Sequence, residues 1–119
     1  MNKRRVLVAF DGTEQSFWAL QQAADAATWS EAEIGVVTVL PPIIDAPGHA
    51  LRFLREYGLE PRMHVRVSAS AVDEISRVAS EGAYDTVYVG RRDPNERSAD
   101  ASVSRGVSLS APFSVLIAR

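Results

Sequence analysis

Residues 6–10 of the chain, Val-Leu-Val-Ala-Phe, form an unbroken apolar run that Asp11 and Gly12 stop. Runs of this kind mark strands buried on both faces, as in parallel sheets. The period then changes. Phe17, Leu20, Ala24 and Ala27 recur at three- and four-residue spacing, which predicts a helix with Thr13 as N-cap and Glu14 near its positive end. Residues 34–40 read as a valine-rich second strand, ended by Pro41 and Pro42. Ala50, Leu51, Leu54 and Tyr57 outline a short helix that Gly58 closes. Met63, Val65 and Val67 then alternate with His64, Arg66 and Ser68, predicting an edge strand with one solvated side. Ser70 caps a helix with Val72, Ile75, Val78 and Ala79 inward, and Gly82 closes it before a fourth strand over residues 84–90. A polar loop over 91–100, a short helix over about 101–110 and a last strand over 113–118 complete the pattern.

Strands alternating with helices imply right-handed crossovers and a parallel sheet covered on both faces. The expected fold is α/β: a doubly wound, five-stranded parallel sheet in a three-layer sandwich. Its ligand crevice lies beyond the carboxyl ends of the strands at the topological switch, so strand ends are where chemistry is sought. At 119 residues the chain suits one domain, residues 1–119, with no repeat or linker.

Charge and composition remove several functional classes. A formal net charge of -2 gives no basic face for nucleic acid. The absence of cysteine excludes disulfides, thiolate metal sites and cysteine nucleophiles. The longest apolar stretch, residues 34–44, is interrupted by Gly35, Thr38, Pro41 and Pro42 and is too short for a bilayer. The basic start, Lys3-Arg4-Arg5, lacks the apolar core of a signal peptide and is expected to solvate the entry to the first strand. A cytoplasmic location without membrane contact is expected. His49, placed in a loop after Pro47-Gly48, and His64 have no acid or second histidine at ligand spacing, so no metal site is expected. Trp29 is expected to pack at its helix end. Trp18 falls on that helix's polar side, with packing on another element or on a partner subunit both open.

The order of the strand-end motifs is distinctive. The first strand runs into Asp11-Gly12-Thr13-Glu14-Gln15-Ser16 and an alanine-rich helix. Glu74-Ile75-Ser76 leads through Gly82-Ala83-Tyr84-Asp85 into a strand ending Val87-Tyr88-Val89-Gly90. Ala101-Ser102-Val103-Ser104 precedes Ala111-Pro112-Phe113-Ser114-Val115-Leu116-Ile117. This series resembles the universal stress protein family over nearly the whole chain, apart from a shortened region, residues 41–61. The resemblance implies a sheet ordered 3-2-1-4-5, of the adenine-nucleotide alpha hydrolase-like kind, and frequent dimerisation. It implies a nucleotide site in which Asp11 and the backbone around Val39 meet adenine and ribose. Gly90, Arg91, Arg92, Ala101, Ser102, Val103 and Ser104 would face the phosphates. Physics supports such a place, because free N–H groups at a helix start attract phosphate and glycine permits close approach.

The chain departs from the family's nucleotide-binding pattern of Gly-x-x-Gly, nine residues, then Gly-Ser or Gly-Thr. Here Asp93 and Ala101 stand at two glycine positions and the loop is two residues shorter. Asp93 adds a carboxylate where phosphate oxygens would sit, and the Ala101 methyl hinders close approach. Arg91, Arg92 and Arg97 offer charge that offsets this, or else pair with Asp93, Glu96 and Asp100 on a solvated surface. Asp11 reads equally as a turn-capping residue, and Ser102 and Ser104 as helix-start residues.

Other classes fit less well. A phosphoacceptor receiver needs an acidic pair after strand one, a flavodoxin needs a phosphate loop there, and a serine hydrolase needs a Gly-x-Ser-x-Gly elbow. None is present. The expectation is a non-enzymatic stress-response or regulatory module with weak or lost nucleotide binding. It would be homodimeric through strand 113–118, which is apolar on both faces, and could also take a regulatory protein partner. The alternatives are a genuine ATP or AMP binder using Arg91 and Arg92, and slow ATP hydrolysis with Asp11 placing the ligand or a metal.

Overall fold

Alternation within the strands settles which helix covers which face. The computed structural model describes residues 3–40, 45–68, 70–90 and 114–118. Its elements are β1 (Arg5–Ala9), α1 (Glu14–Ser30), β2 (Glu33–Leu40), α2 (Ala46–Glu56), β3 (Arg62–Val67), α3 (Ala71–Glu81), β4 (Thr86–Gly90) and β5 (Ser114–Ala118). The sheet has five strands in the order β3-β2-β1-β4-β5, and every pairing is parallel. Val6, Val8 and Phe10 from the β1 segment join Ile34, Val36 and Tyr88 in a core against α1 and α2. Leu7, Val37, Val87 and Val89 point the other way, into a core against α3. The continuous apolar runs are thus buried on both sides, as such runs require.

The amino ends of the central strands are tied by Arg5. Its guanidinium donates to Glu33 at 2.9 Å and to the Gly82 carbonyl at 2.8 Å. Its backbone N–H donates to Asp85 Oδ2 at 2.9 Å, while the Asp85 N–H donates to the Arg5 carbonyl at 2.8 Å. Solvation of the strand entry is therefore only part of this residue's role.

Three expectations need correction. First, α2 begins at Ala46, so His49 lies in a helix rather than a loop. Pro47 is tolerated in a first turn, where its missing N–H has no partner to lose. Asp45 caps the turn by accepting from the Gly48 N–H at 3.2 Å. Second, the apolar residues of β3 are not its covered side beyond Met63, since Val65 and Val67 are exposed. Phe53 of α2 packs on Phe17 of α1, with ring centroids 5.4 Å apart, and Met63 alone of the β3 apolar residues joins that core. The polar residues of β3 instead face α3: His64 meets Tyr84, and Arg66 lies 3.8 Å from Glu74. Third, Trp29 is 89% exposed and does not pack at the helix end. Trp18 is likewise exposed. The final strand starts at Ser114, while the expected loop over 91–100 and helix over 101–110 lie outside the described residues.

Candidate functional site

The turn after β1 stands where the strand order reverses, between β1 and β4. Gly12 takes φ 90, a left-handed conformation that suits glycine. The turn lets Asp11 reach forward, and its Oδ1 accepts from the Thr13 N–H at 2.9 Å and from the Thr13 hydroxyl at 2.6 Å. Thr13 Oγ1 in turn accepts from the Ser16 N–H at 3.2 Å and caps α1. Ser16 is buried; its hydroxyl donates to the Thr13 carbonyl at 2.9 Å and accepts from the Asp11 N–H at 3.3 Å. Both hydroxyls are thus committed to the turn, and neither is poised as a nucleophile. Asp11 remains exposed. Its chemistry is that of an acceptor for ligand hydroxyl or amino groups, beside the positive end of a helix.

Gly90 ends β4 on the neighbouring strand. Val8 pairs with Tyr88, so Gly90 stands abreast of Phe10, one residue before Asp11. The expected proximity of Asp11 and Gly90 at adjacent strand ends holds. A Cβ on Gly90 would lie 2.6 Å from the Gln15 carbonyl carbon, 2.7 Å from its oxygen and 2.8 Å from the Ser16 nitrogen. The glycine is therefore used to seat the first turn of α1 on the strand end. Val39, expected at the adenine side, is half-buried on β2 and packs into the α3-side core. Its neighbour Thr38, one residue earlier, is buried, and its hydroxyl has no partner among the described residues. Sequence reasoning passed over Thr38, although a single hydroxyl in a valine-rich strand was the available signal. Arg91, Arg92, Ala101, Ser102, Val103 and Ser104 lie outside the described residues. Among the described residues, no three acidic or histidine side chains gather as a metal site would require, and no helix is long and apolar enough to cross a membrane.

A second polar centre lies under α3. The Tyr84 hydroxyl and His64 Nε2 are 2.8 Å apart. The Tyr84 ring occupies the space that a Cβ at Gly35 or Gly82 would fill, so these two glycines make room for it. Gly82 itself caps α3 in a right-handed conformation, while Ala83 takes the left-handed one at φ 53. Burial pushes the His64 pKa below 6.5, and Arg66 and Arg62 push it further down. Burial raises the Tyr84 phenol, with Arg62 and Arg5 opposing and Glu33 assisting.

A depressed histidine pKa means that the unfolded chain binds the proton more readily than the folded one. Stability should therefore fall as pH drops through about 6.5 and level off below the folded value. Thermal unfolding at about pH 7.5 and about pH 5.5 should show His64→Gln losing less stability on acidification than the wild type. Equal losses in the two proteins would rule out this proton.

Fold and crevice together define a doubly wound α/β domain with an exposed acid and a helix start at its switch point. The universal stress protein family model matches residues 2–62 of the chain. The chain belongs to the universal stress protein family. A universal stress protein from Archaeoglobus fulgidus superposes with a TM-score of 0.79 at 23% identity, covering 100% of this chain and 96% of that one. A universal stress protein in complex with cAMP gives 0.81 at 22% identity, covering 100% and 98%. The Archaeoglobus fulgidus protein in complex with dAMP gives 0.77 at 22% identity, covering 99% and 98%. No curated protein matches the chain.

Proposed function

We propose that the chain is a non-enzymatic, cytoplasmic regulatory module of the stress-response type, working as a homodimer with weak or lost adenine-nucleotide binding. The observation that carries this reading is the state of β5. It is the outermost strand on its side of the sheet, and both Leu116 at 48% and Ile117 at 47% are exposed. The two side chains project to opposite faces, so the strand offers apolar surface on each side of an open backbone edge. A two-fold copy pairing with this edge would cover both.

One feature supports weak binding. Asp93 and Ala101 replace glycines in the pattern that binding members of the family carry. A misplaced carboxylate beside a triphosphate, partly screened by salt, costs about 1–2 kcal/mol. Calorimetry with ATP and with AMP at fixed salt and magnesium should return a Kd of about 100 μM or weaker. The double change Asp93→Gly with Ala101→Gly should tighten it. Submicromolar wild-type affinity would discard the degraded-site reading.

A second reading is a genuine ATP or AMP binder with Arg91 and Arg92 at the phosphates, with or without slow ATP hydrolysis. It is favoured by the cAMP and dAMP complexes of the similar proteins and by the exposed Asp11 carboxylate. Loss of affinity in Arg91→Ala with Arg92→Ala would mark this second case.

A further inference from the structure

The solvent side of α1 carries surface that the crevice does not use. Its buried stripe is Ser16, Ala19, Leu20, Ala23, Ala24 and Ala27. Opposite that stripe, Trp18, Gln22, Asp25 and Trp29 follow one another at spacings of four, three and four, which sets them in one line down the helix. Trp18 is 49% and Trp29 89% exposed, and these are the only two tryptophans in the chain. Eleven residues place them roughly 16 Å apart along the axis. Two exposed indoles on one line leave apolar surface outside the core, and tryptophan, with its apolar body and polar N–H, is enriched at interfaces.

The charge on this line has one sign. The helix carries Glu14 and Asp25, contains no lysine or arginine, and is capped by Glu31. At the end of α2, Tyr57 is also partly exposed. Its phenol is raised by desolvation and then by the nearby Asp25 carboxylate, so this third aromatic neighbours the line at Asp25. Tyr57 is held there through Phe53, with ring centroids 5.1 Å apart, and Phe53 packs on Phe17 at 5.4 Å.

We propose that this face docks an amphipathic helical segment of a partner protein, one whose apolar side chains are flanked by lysine or arginine. The apolar residues cover the indoles, a cation stacks on an indole face, and another pairs with Asp25. Charge selects this occupant over its rivals. An antiparallel second copy of α1 would set Trp18 against Trp29 but offer Asp25 only the amide of Gln22. Two indoles per side also fall well short of the roughly 1,200 Å² that a stable dimer buries. The acidic line repels anionic surfaces.

The test uses the tryptophans as reporters, since both sit on this face. The intact protein is titrated, at about 150 mM salt, with a helical leucine–lysine peptide and with its leucine–glutamate counterpart. The lysine peptide should shift the emission to shorter wavelength in a saturable way, and the glutamate peptide should not. Trp29→Ala (read through Trp18) and Asp25→Lys should each weaken the lysine peptide by about tenfold. Circular dichroism should show both variants folded, because the replaced side chains are exposed. The proposal fails if the lysine peptide leaves the emission unchanged, if both peptides shift it equally, or if Asp25→Lys binds as tightly as the wild type. A shift that follows protein concentration alone would overturn it in favour of a second copy.

Discussion

Gly90→Val should lower the thermal midpoint by roughly 10 °C, corresponding to a loss of about 2–3 kcal/mol. The atoms a new Cβ would strike, 2.6 to 2.8 Å away, all belong to the backbone of Gln15 and Ser16. Neither side has freedom to retreat. β4 is hydrogen-bonded to β1 on one edge and to β5 on the other. The first turn of α1 is fixed by the Thr13 cap and by the hydrogen bonds of Ser16. The effect belongs near the top of the overpacking range for that reason. Gly35→Ala is the informative comparison. There the obstructing group is the Tyr84 side chain, which swings aside at the expense of its contact with His64, so a smaller loss of about 1–2 kcal/mol is expected. Thermal unfolding of the two variants checks the order, and a Gly90→Val protein as stable as the wild type would show that α1 does not rest on this strand end.

The double change Leu116→Lys with Ile117→Lys should turn the proposed dimer into a monomer at micromolar concentration. Each replaced side chain is about half exposed in the single chain, and covering the remainder is worth about 1 kcal/mol per residue. Four such residues meet in a two-fold pair. Their loss weakens association by roughly three orders of magnitude, before any repulsion between the new charges is counted. Sedimentation velocity reads the change directly. Circular dichroism should remain that of the wild type, because neither position is in the buried core. A variant that still sediments as a dimer would place the contact elsewhere, and a wild type that is monomeric would remove the homodimer altogether.

The order of elements was legible because β1 and β4 are continuous apolar runs and α1 and α3 have clean helical spacing. Thr13 and Ser70 were readable as caps for a local reason: each needs only its own side chain and an N–H three residues on. The start of α2 was hidden because Pro47 and Gly48 signal a turn in isolation, whereas here they occupy the first turn of a helix held by Asp45. The facing of β3 was misread because alternation reports polarity, not cover. Cover of the polar side comes from residues distant in sequence, Tyr84 beside His64 and Glu74 near Arg66. Trp29 was misplaced by the same reasoning, since a large apolar residue carries no sign of whether its partner lies within the chain.

The site was partly readable. The motif picked out two strand ends, at Asp11 and Gly90, that the register between β1 and β4 brings together. The bonds from Thr13 to Asp11 fit its turn-capping reading, whereas the motif could not reveal that helix packing requires a glycine at position 90. Both are consequences of how α1 meets the sheet.

Native mass spectrometry of the protein, purified without added nucleotide, tests the weakly binding homodimer in one spectrum, which reads both subunit number and retained ligand. A dimer of bare chains is expected. A dimer carrying one adenine nucleotide per subunit, or a monomer in any ligand state, would contradict it.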